Sequence, residues 1–126
     1  MCKLLMSINP EHVENILAGK KHFEFRKTRC KQEIESIIIY STAPVGQVVA
    51  EAEVIDVLED TPEKIWARTA DAAGIDKTFF DFYYAGRDIA VAYALGTVRR
   101  YKKAKTLADY GVKAAPQSYV YIKSAV

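Results

Sequence analysis

Apolar positions along the chain alternate between two spacings, and the changes of spacing divide it into elements. Residues 2–8 predict a first strand, and residues 36–41, Ser36-Ile37-Ile38-Ile39-Tyr40-Ser41, are apolar on both faces, as a covered central strand requires. Between them Asn9-Pro10 opens a helix on which Val13, Ile16 and Leu17 form one stripe, and Gly19 ends it. In residues 47–58, Ala50, Ala52 and Val54 alternate with Glu51 and Glu53, after which the apolar parity moves to Ile55 and Val57. A β-bulge near Val54 accounts for that change and bends the strand. Thr61-Pro62-Glu63 repeats the helix-start signal before Ile65, Trp66 and Thr69, closed by Gly74. Asp76 caps a third helix carrying Phe79, Phe80 and Tyr83, followed by Gly86. Residues 88–95 alternate Ile89, Val91, Tyr93 and Leu95 with alanines, and residues 97–102 and 117–122 complete the strands. The order predicts an α+β fold, a small mixed β-barrel, closed or nearly closed, with about six or seven strands and three helices.

Composition narrows this picture. The chain has 126 residues, half of them apolar, which fits one domain (1–126) with a single core. No apolar run reaches the ~18 residues of a membrane span. The opening Met1–Met6 block is too short for a signal peptide, so a cytoplasmic location is expected. Cys2 and Cys30 make no disulfide framework, and with His12 and His22 they lack any zinc-ligand spacing, so neither metal nor cofactor is expected.

The net charge of +2 conceals an asymmetry. Residues 20–31 hold Lys20, Lys21, Arg26, Lys27, Arg29 and Lys31 against Glu24 alone, and residues 99–105 add Arg99, Arg100, Lys102, Lys103 and Lys105. Residues 51–82 hold nine acids and three bases. If the two basic runs fold side by side they make one phosphate-attracting face, opposite an acidic helical face open to a protein partner. The plainer reading is a pair of solvated loops.

The densest chemistry lies in Gly19-Lys20-Lys21-His22-Phe23-Glu24-Phe25-Arg26. On a strand, residues two apart share a face about 7 Å apart. Glu24 and Arg26 then point with His22, Phe23 and Phe25 point the other way, and Lys21 stands at the strand entrance. This is either the wall of a polar cleft or a surface ion pair contributing ~0–1 kcal/mol. A partly desolvated Lys21 beside other cations could act as base or nucleophile, or it could stay charged and contact a phosphate. No G-x-S-x-G elbow or phosphate-cradling glycine loop is present.

The pattern G-x-K-x-x-E-x-R, here Gly19, Lys21, Glu24 and Arg26, resembles the signature of the ASCH domains, a branch of the PUA-like superfamily. Leu4–Pro10 with Ile16-Leu17-Ala18, Ile38–Pro44 and Ala115–Tyr119 resemble that family's first strand and helix, its next strand and turn, and its closing strand. The resemblance covers essentially the whole chain and implies a cleft that binds RNA, single-stranded in the main, or a modified nucleoside. Lys21, Glu24, Arg26, Ser41 and Gln117 would line it, with Lys27, Arg29, Arg99 and Arg100 holding the backbone. Tyr119 and Tyr121 share one face of the last strand and offer a stacking wall or a core rim. One small group within the family hydrolyses acetylated cytidine. This chain departs from it, with Glu24 for a catalytic threonine and Ala73 where its glutamate aligns. A carboxylate cannot replace the hydroxyl and an alanine supplies no acid, which argues against that activity. An amidohydrolase or ribonuclease on the same cleft, and a protein-interaction module, stay open as alternatives.

Overall fold

The computed structural model describes residues 2–123. Six strands form one mixed sheet: β1 (Cys2–Ile8), β2 (Phe23–Arg26), β3 (Ile34–Ser41), β4 (Gln47–Asp60), β5 (Ala90–Lys105) and β6 (Tyr119–Lys123). Their spatial order is β2-β5-β4-β3-β1-β6. β1 and β3 run parallel, and every other neighbouring pair is antiparallel. Three α-helices, α1 (Pro10–Leu17), α2 (Pro62–Thr69) and α3 (Lys77–Tyr83), complete the α+β architecture, with short 3-10 turns at Ala70–Ala72 and Leu107–Tyr110.

The helix starts follow the sequence with one exception. The side chains of Thr61 and Asp76 accept from the backbone of Lys64 and Phe79, as capping predicts. Asn9 occupies the N-cap position of α1 but its side chain makes no cap hydrogen bond. Pro10 at the first position still sets the helical φ.

The apolar run of β3 is covered on both sides. Ile37 and Ile39 enter the main core with Leu4, Met6, Ile8, Val13 and Ile16, while Ile38 enters a second layer with Leu5 and Val48. A third cluster, Phe25, Leu58, Ile65, Phe80, Tyr84, Ala90 and Ala92, seats α2 and α3 on the sheet. β5 divides its side chains between two of these clusters, Val91, Tyr93 and Leu95 into the main core and the small alanines beneath the helices.

Three sequence expectations are corrected. Residues 88–95 and 97–102 are not two strands; β5 runs unbroken through Gly96. A Cβ there would meet Ile55 Cγ2 at 2.7 Å, so the glycine lets β4 approach rather than ending the strand. The β4–β5 register does shift on either side of Val54, yet Ile55 is 65% exposed, and it is Val57 and Leu58 that turn inward. The expected barrel does not close among the described residues: β2 and β6 are the two ends of the ladder. β2 has only four residues, all paired to β5, and side chains rather than backbone span the gap to β1 and β6.

The turn after α2 supplies the structural condition for the site. Gly74 has φ +69°, and a Cβ there would lie 2.7 Å from the Cα of Lys21. Gly19 has φ +77° with nothing near its would-be Cβ. Gly19→Ala is therefore expected to cost only the left-handed penalty of ~1–2 kcal/mol. Gly74→Ala should cost clearly more, because backbone cannot move aside. Denaturant unfolding of the two variants checks this; equal losses would show that the close approach to Lys21 is slack.

Candidate functional site

A cleft of 290 Å³ opens where the ladder is interrupted. Ser7, Ile8 and Asn9 border it from the end of β1, Glu24, Phe25 and Arg26 from β2, Gln117 from the approach to β6, and Phe79 and Tyr83 from α3. Lys21, His12 and Ile75 complete its lining.

Lys21 is 3% exposed. The chain reaches it from the end of α1, where the amides of Lys20 and Lys21 both donate to the Asn15 carbonyl. The 70–75 turn covers it from the other side, the His22 amide donating to the Ala72 carbonyl. Its ammonium donates to the Ala73 carbonyl at 3.3 Å, lies 3.8 Å from Glu24 Oε1 and sits 4.6 Å from the centroid of the Phe25 ring. Burial pushes the Lys21 ammonium below the ordinary lysine value; Glu24 works against this and Arg26 adds to it.

Glu24, 5% exposed, is held from two sides. Arg26 Nε donates to Glu24 Oε2 at 3.1 Å, and Arg26 Nη2 lies 2.9 Å from the same oxygen. Arg26 also crosses the open seam: Nη2 donates to the Ser7 carbonyl at 2.7 Å and Nη1 to Ser118 Oγ at 3.2 Å. A guanidinium has five N–H donors, and most of these are committed to protein acceptors. Its position fixes Glu24 and joins β2 to β1; little of it is left to hold a ligand.

The aromatic wall comes from α3. Phe79 and Tyr83, four residues apart on one helix face, lie nearly parallel at 7° with centroids 6.4 Å apart. Lys27 is exposed and places its ammonium 4.8 Å over the Tyr83 ring, at the rim.

Of the residues picked out from sequence, Lys21, Glu24, Arg26 and Gln117 converge here, with Lys27 beside them. The others lie elsewhere. Ser41 is buried and, with Arg100, borders a separate hollow beyond α1. Arg29 pairs with Glu59 at 3.7 Å, and Arg99 with Glu51 at 3.3 Å. Tyr119 packs against the main core, and the Tyr121 hydroxyl accepts from the Lys31 amide. His22 is exposed and bonds the Gly19 carbonyl. Arg26 faces Val91 on β5, and Arg99 follows eight residues later, roughly 26 Å along an extended strand.

Sequence reasoning missed His12, Asn9, Phe79 and Tyr83 as cleft residues. The one available signal was the i, i+4 aromatic pair on α3, which reads equally well as core.

A small α+β domain with a lysine–glutamate–arginine trio at the seam of an open mixed sheet, the lysine and glutamate buried, is the class that fold and site define. The chain belongs to the ASCH domain family, whose model matches residues 6–117. It is 28% identical over 92 residues to the ASCH domain-containing ribonuclease of Zymomonas mobilis, covering 72% of this chain and 62% of that protein. It is 26% identical over 121 residues to the large ribosomal subunit protein uL22 of Ureaplasma parvum, covering 95% of this chain and 39% of that protein. It is also 24% identical over 122 residues to an ATP synthase subunit alpha of the same organism, of which it spans 15%. The chain thus spans well under half the length of the two Ureaplasma relatives. The crystal structure of ASCH from Zymomonas mobilis superposes with a TM-score of 0.86 at 24% identity, over 96% of this chain and 87% of that one, and shows the same fold. No helix among the described residues is long and apolar enough to cross a membrane. Ala73 stands beside Lys21 and offers its backbone carbonyl to the ammonium.

The depressed Lys21 gives a signed prediction. Between its folded value and 10.5 the unfolded chain binds the extra proton, so stability from this group rises with pH across that window. Comparing wild type with Lys21→Met cancels the tyrosines. The wild type should gain on the variant as pH is raised from neutral to about 10, read by urea unfolding. A constant difference would mean that Lys21 titrates like a free lysine.

Proposed function

We propose that the chain binds one nucleotide unit of single-stranded RNA, or a free modified nucleoside, in the seam cleft, with residues 1–126 acting as one RNA-directed module. The observation that carries this reading is the convergence of the buried Lys21 ammonium and Glu24 carboxylate with the Phe79–Tyr83 wall on a single cavity of 290 Å³. Aromatic rings lining the cleft suit base stacking, worth ~1–3 kcal/mol per base. Beside them Glu24 accepts from an exocyclic amino group, and Lys21 donates to a carbonyl or phosphate oxygen. The volume suits a single base rather than a duplex. The Zymomonas relative, a ribonuclease by name, supports an RNA ligand. Lys27 at the rim meets the phosphate of the seated nucleotide; Arg29, Arg99 and Arg100 serve only RNA that continues over the surface.

The depressed lysine favours a second reading, a hydrolase on the same cleft. A lysine that gives up its proton more readily than usual suits general acid–base work. Lys21→Ala separates the two readings. A binder loses part of its affinity, whereas an enzyme keeps binding and loses turnover of RNA or of a modified nucleoside.

The binding reading is tested by titrating labelled short RNAs at several salt concentrations. Lys27→Ala should flatten the slope of log K against log salt by ~0.7, the share of one phosphate on a single strand. Arg29→Ala, whose charge is already paired with Glu59, should change it less. Glu24→Gln should lose ~1–3 kcal/mol of discrimination between bases. Unaltered base preference in Glu24→Gln would leave the carboxylate a purely structural role.

A further inference from the structure

We propose that His12 is a specificity-determining residue of the cleft, a neutral imidazole that presents its Nε2–H to a hydrogen-bond acceptor on the edge of the bound base. The assignment rests on the nucleotide reading given above and adds the group that recognises the base from the α1 side.

Geometry sets the role. His12 lies in the first turn of α1, lines the cleft, and packs against Phe79 with ring centroids 5.3 Å apart at 66°. Phe79 is one of the two aromatic rings that α3 brings to the cleft, so His12 stands beside the place where a base would stack. Nδ1 is enclosed and has no hydrogen-bond partner, the one such buried side-chain atom among the described residues. A proton on Nδ1 would be a buried donor with no acceptor, which disfavours both the Nδ1–H tautomer and the imidazolium. The proton of the neutral ring therefore belongs on Nε2.

The surrounding charges agree. Burial is the largest influence and holds His12 below the ordinary histidine value. Lys21 and Arg26 across the cleft on the β2 side push the same way; Glu24 beside them and Glu11 on α1 oppose them. From α3, Phe79 covers the ring and the Tyr83 phenol, itself raised by burial, lines the same cleft without adding charge. The donors of Arg26 are already taken up by Glu24, Ser7 and Ser118. His12 Nε2 has no recorded protein partner among the described residues, which leaves it available to a ligand.

Two measurements test this. In a long-range proton–nitrogen NMR spectrum the ligand-free protein should show His12 as the Nε2–H tautomer, taking up its second proton at a lower pH than a free histidine. In NMR titrations, His12→Phe should weaken uridine 5′-monophosphate about five- to tenfold, the worth of one hydrogen bond. His12→Gln, which keeps a donor, should stay within about threefold of wild type. Ribose 5-phosphate, which lacks the base, should bind all three proteins equally. Normal uridine monophosphate binding by His12→Phe, equal losses for both probes, or an Nδ1–H ring would overturn the assignment and leave the nucleotide reading standing. Failure of the wild type to bind uridine monophosphate at all would overturn both.

Discussion

The carboxylate of Glu24 is shared between two cations in a place water hardly reaches, and the rest of the site depends on that sharing. A buried ion costs several kcal/mol in lost hydration, and it is tolerated only where its partners are held in good geometry. Arg26 supplies the partner on one oxygen and Lys21 on the other. Each cation has further obligations, Arg26 to Ser7 and Ser118 across the seam, Lys21 to the Ala73 carbonyl. One carboxylate thereby connects the end of α1, the short edge strand, the far edge of the sheet and the turn after α2. Deleting it would strand two charges, so its structural and functional roles cannot be separated by a simple alanine.

The α2–α3 segment determines what kind of lysine the cleft contains. Ala73 and Gly74 close over Lys21, and the missing side chain of Gly74 permits the approach. The same segment carries Phe79 and Tyr83 onto the cleft. Its aromatic residues seat it through Phe80, which contacts Phe25, Trp66 and Tyr84 at centroid separations of 4.8 to 5.3 Å. Packing of a hydrophobic helix pair and desolvation of Lys21 are thus consequences of one placement.

Much of this was legible in the chain because it is local. The helix starts at Pro10, Thr61 and Asp76, the two-sided burial of β3 and the irregularity at Val54 all follow from residues close in sequence. The trio was legible because Glu24 and Arg26 share a strand face and Lys21 enters from a fixed turn. What the sequence concealed depends on partners distant along it. Gly96 looks like a break until β4 is beside it, and Ile55 looks buried until the bulge turns it out. Ser41, expected in the cleft, and Arg100, expected to flank it, border a separate hollow beside α1. His12 could not be placed before α3 was, because its significance comes from Phe79.

The open ladder also bears on how this protein behaves among other copies of itself. A closed barrel would use backbone hydrogen bonds between β2 and β6 and leave no gap; here the gap is the cleft, and two strand edges remain. Free edges invite pairing with another chain and so aggregation. β2 has only four residues, β6 spans five among the described residues, and a charged guanidinium lies across the space between them. Arg26 therefore occupies the space in which a further strand would have to pair, and it does so with the same guanidinium that holds Glu24.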